Sequence, residues 1–440
     1  MEINTSDVWN SRWESIARFL QALATEVDAE IELPRRLVLI PLVKSLQDFG
    51  AAHFQYFNDY FTKHPDEVCA DFPPEFVIRQ VIERIATDAQ VIQTCIAQRR
   101  AGGDAHARDV LLTADKLAWQ ALRPAVDGHL LPPETTAITY FQKVASIRVI
   151  PYASVALIGI PITCLYNSFD YLSIPHEVGH NVYWNAGKFD DDAQLSIQSR
   201  LKQQATRQEK AKPAYRWTQE IFADAYGALV AQAPIAVSFQ DLEFESSKVE
   251  FATDDGRHPL PIVRPEIYAA LIGKTDPVLA EKLEDRWKKL LQKRSAFVTT
   301  DAEGDWNTVQ VAESVENPNP TLIDHNNLVN GYSTIVDAVT DVLPMSSQEP
   351  DFPARDAKDL ESVYAMFSDA IPAFVAKITE AQIDGSIRTK SWDDWQIHQE
   401  RNSSLTVNIL NSPCTYKWMN IFLAGGWTTE GPQTRDLVGG

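Results

Sequence analysis

The chain has 440 residues, 45% hydrophobic and 23% charged, with a net charge of -20. That length can bury a sizeable core and suggests about two or three domains. An acidic balance with no concentrated basic patch argues against a nucleic-acid backbone or an anionic membrane surface as partner. Residues 1–30 lack the charged-then-apolar order of a signal peptide. The longest apolar stretch, residues 155–166, is broken by Gly159 and Pro161 and is too short to span a bilayer. Cys69, Cys95, Cys164 and Cys414 lie far apart, with no C-x-x-C pair, and read as reduced thiols packed as small hydrophobes. A cytoplasmic protein is the expectation.

In chain order, residues 8–27, 37–61, 74–98 and 109–122 carry apolar residues at three- and four-residue spacing and predict helices. Pro34, Pro73-Pro74 and Ala101-Gly102-Gly103 punctuate them. Residues 1–130 thus read as an N-terminal helical region. Residues 136–141 and 147–160 are rich in β-branched and aromatic residues and predict strands. The second is a candidate cleft-bordering strand to which a peptide could add, or else an interior strand with no free edge. A helix over His176 follows, with Pro175 in its first turn. Residues 188–212 are polar and read as a surface excursion. A second informative helix covers residues 213–231, and the core region runs over 131–275. Residues 276–440 return to helix at 277–293, 330–343 and 357–378. Asn317-Pro318-Asn319-Pro320 reads as a turn-rich loop, and the glycine-rich tail from Ser412 as mobile. The fold class is α+β, predominantly helical, with a small sheet beside the candidate site.

His176-Glu177-Val178-Gly179-His180 spells H-E-x-x-H. At about 100° per residue, Glu177 falls about 100° and His180 about 40° from His176, so all three leave one face. Two imidazoles at i and i+4 can share one metal ion, and a carboxylate between them can reach a metal-bound water. A catalytic site needs a third ligand, and the best candidate is Glu220. Asp224 falls about 40° from it, and Ala223 and Gly227 lie on the same face. Small residues there would let the two helices approach closely. Glu209 and the acids at 190–192 compete less well, being in polar runs. Asp224 is placed to accept the second N–H of His176 or His180. Phe222, Tyr226 and Leu229 lie on the opposite side and are expected to face core.

His176-Glu177-x-x-His180 followed by Glu220-x-x-x-Asp224 resembles the gluzincin metallopeptidases, the thermolysin-like branch of the zincins. The resemblance covers about 60 residues. It implies a zincin-like core with zinc on His176, His180 and Glu220, Glu177 as general base, and Asp224 supporting the first histidine. Peptide or protein would be the substrate, with Glu177 activating a zinc-bound water. His258 is a candidate oxyanion donor, or part of a loop. Arg264 is a candidate anchor for a substrate carboxylate, or a capping or salt-bridge residue. Tyr183, Tyr226 and Tyr332 are weaker donor candidates that read as core or wall, and His325 reads as part of a surface turn. Two histidines and a carboxylate also form the facial triad of Fe(II) oxygenases, so Fe2+ is the alternative ion. A non-catalytic metal-binding scaffold is the third reading.

Overall fold

Helices dominate the fold, and a small mixed sheet sits among them. The computed structural model describes residues 5–31, 35–63, 73–150, 152–186, 197, 201, 217–247, 250–251, 253–254, 258–295, 308–312, 320–343 and 352–383. The expected surface excursion at 188–212, almost all of it, and the tail from Ser412 lie outside the described residues.

The first three helices, α1 (Thr5–Glu30), α2 (Arg35–Lys63) and α3 (Pro74–Ala97), pack on one another through their apolar stripes. Helix α4 (Ala105–Asp127) begins at Asp104, whose carboxylate accepts the backbone N–H of His106. Strands β1 (Thr136–Gln142), β2 (Ser146–Arg148) and β3 (Val155–Pro161) form a sheet in the order β1-β3-β2. β1 runs parallel to β3, and β2 antiparallel.

The sheet has no solvent face, which explains the unbroken apolar run of β3. Ile138, Tyr140, Val155 and Leu157 point into the core of α1–α3. Ala137, Phe141, Ala156, Ile158 and Ile160 point into the core shared by α4 and the later helices. Period-two alternation thus feeds two layers. The expected strand 147–160 divides into β2 and β3, because the chain reverses between them. β3 is the central strand, so it is the interior reading and not the peptide-accepting edge that applies to it.

Beyond the sheet come α5 (Ile174–Asn185), α6 (Thr218–Ala231), α7 (Ala233–Phe244), α8 (Arg264–Ile272) and α9 (Pro277–Ser295). β4 (Thr308–Ala312) and β5 (Pro320–Asp324) form an antiparallel pair, followed by α10 (His325–Val342), α11 (Val363–Ala376) and α12 (Glu380–Ile383). Apolar packing is continuous from α4 to α12, across residues 130 and 275. Two expectations need correction here. Pro320 opens a strand, a position where its missing N–H is tolerated. His325 begins a helix instead of sitting in a surface turn. Among the described residues, no helix is long and apolar enough to cross a membrane.

Candidate metal centre

Four consecutive described helices, α5 to α8, each send an i, i+4 pair to one buried point. The pairs are His176/His180, Glu220/Asp224, Phe239/Glu243 and Arg264/Tyr268. Residues four apart share a helix face, so each helix needs only its own periodicity to present both groups. Helix α5 packs most extensively on α6. Gly179 makes that contact close: a Cβ there would stand 2.8 Å from the Cα of Ala223 and 3.0 Å from its carbonyl oxygen. A Cβ on Gly227 would meet Ile235 at 2.8 Å and the backbone N of His176 at 3.5 Å. The small face expected on the Glu220 helix is therefore the contact face. Phe222 and Tyr226 are buried; Tyr226 borders this contact, its Cβ 3.0 Å from where a Gly179 Cβ would stand, and its hydroxyl donates to the carbonyl of Ala121 at 2.7 Å.

His176, Glu177 and His180 are 7%, 8% and 6% exposed, so the site is nearly closed. The Nε2 atoms of His176 and His180 are 3.1 Å apart. Glu220 Oε2 lies 3.5 Å from His176 Nε2, and Oε1 lies 3.4 Å from His180 Nε2. These three side chains form the one group among the described residues whose donor atoms could hold a metal ion together. His176 Nδ1 lies 3.0 Å from Asp224 Oδ1, an ion-pair contact that falls short of hydrogen-bond alignment. Gln219 Nε2 lies 3.1 Å from His180 Nδ1.

Charge is concentrated here. Burial alone would lower the His176 pKa, but Asp224 and Glu220 outweigh it and raise it to about 9. Burial lowers His180 to about 4. Burial also lifts Glu177 to about 7, against the pull of His176. Burial would raise Glu220, yet the imidazoles of His180 and His176, with Arg264, hold it well below the ordinary carboxylate range. Asp224 is lowered too, with Arg264 the main force opposing burial.

Arg264, considered above as an anchor for a substrate carboxylate, is buried and turned inward. Its Nε and Nη2 each stand 2.9 Å from Asp224, in a two-pronged pair. The same Nη2 is 3.2 Å from Glu220 Oε2, and Nη1 is 3.4 Å from Glu243 Oε1. Its guanidinium carbon lies 4.8 Å from the centre of the Phe239 ring. The salt-bridge reading describes it. His258 stands at the rim: its side chain is 49% exposed, and Nε2 is 3.9 Å from Glu220 Oε1. Tyr183, Tyr226 and Tyr332 are all buried in the core, and the Tyr332 ring packs on Trp217 at 5.6 Å.

Glu243, Phe239 and Tyr268 belong to the site and were not among the sequence candidates. Tyr268 donates to Asp224 Oδ1 at 2.8 Å. Their four-residue spacing from one another and from Arg264 was a usable signal, but only once α7 and α8 were known to face α6. Compared with known proteins, the chain matches no family model, no curated protein and no solved structure.

Proposed function

We propose that the chain is a zinc-dependent metallopeptidase of gluzincin type, with the ion held by His176, His180 and Glu220. The observation that carries this reading is the donor geometry. A tetrahedral ion with bonds of about 2.0–2.1 Å sets its ligands about 3.3–3.4 Å apart. The two Nε2 atoms stand 3.1 Å apart and Glu220 Oε1 stands 3.4 Å from His180 Nε2, both near that value, while the 3.5 Å approach to His176 Nε2 is made by the other oxygen, Oε2. Two neutral imidazoles and one carboxylate are also a donor set that zinc takes in catalytic sites.

When bound, zinc polarises a carbonyl oxygen and lowers the pKa of its bound water to about 7. Glu177 then accepts the proton of the attacking water and returns it to the leaving nitrogen. In the metal-free site burial lifts the Glu177 carboxyl to about 7, toward the range of a base that works near neutral pH. Asp224 faces the outward nitrogen of His176 and steadies that ring, as carboxylates commonly do behind metal-binding histidines. With His180 Nε2 turned to the metal, its Nδ1 carries the proton, and the Gln219 amide would offer its oxygen there. His258, at the exposed rim beside Glu220, is the nearest candidate to donate to the oxyanion.

The test is Glu177→Gln. It should keep the wild-type zinc content while peptide hydrolysis falls about 10²–10⁴-fold. Wild-type turnover by the variant would overturn the role of Glu177. Protein purified without oxygen that carries iron, and turns over only with oxygen, would favour the facial-triad oxygenase instead.

A further inference from the structure

Resting on the metal-site reading above, we propose that Arg264 is a positioning residue that restricts Glu220 to one metal-binding oxygen, Oε1.

The two oxygens of Glu220 have different surroundings. Oε2 lies 3.5 Å from His176 Nε2 and is also engaged by the Arg264 guanidinium, 3.2 Å from Nη2. Oε1 faces His180 at 3.4 Å and the half-exposed His258 at 3.9 Å. A carboxylate can close on an ion with both oxygens only if both are free to approach it. Here a permanent cation already sits on Oε2, and two cations on one oxygen repel each other. The guanidinium has no room to withdraw. Two of its nitrogens are fixed on Asp224, the third also reaches Glu243, and the face of Phe239 lies against it.

The neighbours of Arg264 are themselves held. Tyr268, one turn along α8, donates to the same Asp224 that Arg264 grips. Glu243 and Phe239 come from one face of α7. The guanidinium therefore links α6, α7 and α8 behind the metal donors, with a planar fork that an ammonium could not reproduce. One consequence concerns coordination number. Two imidazoles plus a single carboxylate oxygen leave a fourth tetrahedral position for water, whereas a second carboxylate oxygen would make the ion five-coordinate and crowd that position. Arg264 would thus keep a coordination position open without touching substrate.

Arg264→Lys keeps the charge but cannot grip Asp224 with two nitrogens and reach Glu220 as well. Full-length wild type and Arg264→Lys are stripped of metal with a chelator and reloaded with cobalt(II). Their visible absorption reports coordination geometry. The wild type should show the intense bands of four-coordinate cobalt, and the variant should lose about half or more of that intensity as Glu220 Oε2 joins the ion. Equal band intensities in two cobalt-loaded proteins would overturn the inference while leaving the metal site intact. A wild type that binds no cobalt would overturn the metal-site reading, and this one with it. Should the variant fail to fold, zinc X-ray absorption on the wild type decides the matter. Four nitrogen or oxygen neighbours at about 2.0–2.1 Å are expected. A fifth oxygen at carboxylate distance would refute the inference.

Discussion

Gly179→Ala is a sharp test of how the two ligand-bearing helices meet. In an ordinary helix interior this change stabilises by about 1 kcal/mol, because alanine is the better helix former. At Gly179 the added methyl would stand 2.8 Å from Ala223 Cα, 3.0 Å from its carbonyl oxygen and 3.0 Å from Tyr226 Cβ. Comfortable carbon–carbon contact is about 3.5–4.0 Å, so α5 and α6 must separate by about 0.7 Å or more. No side-chain rotation relieves the clash, since the nearest atoms are backbone. Overpacking of this kind costs about 1–3 kcal/mol, which cancels or reverses the helix-propensity gain. The same shift pulls Glu220 away from His176 and His180, now 3.5 and 3.4 Å away. Metal sites tolerate only about 0.2 Å in bond length, so zinc affinity should fall about 10–100-fold, as when an outer support is lost. Denaturation with a chelator present measures the packing cost, and competition with a zinc indicator measures affinity. A variant that is more stable than the wild type, with unchanged zinc affinity, would refute the close-packing account.

Four further outcomes follow from named groups. Glu220→Ala should abolish tight zinc binding, read by metal content after dialysis; full occupancy would remove Glu220 from the ligand set. At pH 8, where His176 with its pKa of about 9 is still protonated and Glu177 at about 7 is mostly ionised, zinc binding should release about two protons, one from His176 and about one from the bound water. Calorimetry in buffers of different ionisation enthalpy would show it. Gln232 joins α6 directly to α7 at φ 52° and ψ -129°, a backbone shape that suits glycine. Gln232→Gly should therefore stabilise by about 1 kcal/mol in urea unfolding, the low end of such strain. His53 is buried on α2, and burial lowers its pKa to about 3, against 6.5 when unfolded. Below pH 6.5 the unfolded chain binds the proton and the folded chain does not. Stability is thus fully present above 6.5 and falls by about 1.4 kcal/mol per pH unit toward pH 3. His53→Leu should lose this component of the acid slope; identical slopes would refute the assignment.

Much of the candidate site was legible because its elements are local. The pairs His176/His180 and Glu220/Asp224 depend only on helical periodicity, which a sequence displays directly. The small face of α6 was visible for the same reason, and the structure places Gly179 against it. The internal strand β3 was legible as a strand, but its position in the sheet was not, since its apolar run suits an edge or a centre until its partners are known. The β4–β5 pair was missed because a short pairing between helices carries little periodic signal.

By itself, the sequence determined which polar groups share a helix face: His176 with Glu177 and His180, and Glu220 with Asp224, each set by spacing within one helix. Tertiary structure alone decided what surrounds them. The turn at Gln232 folds α7 back beside α6, and packing of α8 brings Arg264 and Tyr268 onto Asp224. Arg264 consequently faces inward to three carboxylates, where the sequence left open whether it pointed toward substrate. The physical reason is range. Helical periodicity acts over four residues, whereas the partners of a buried charge come from wherever the chain returns, here about 20 to 44 residues away.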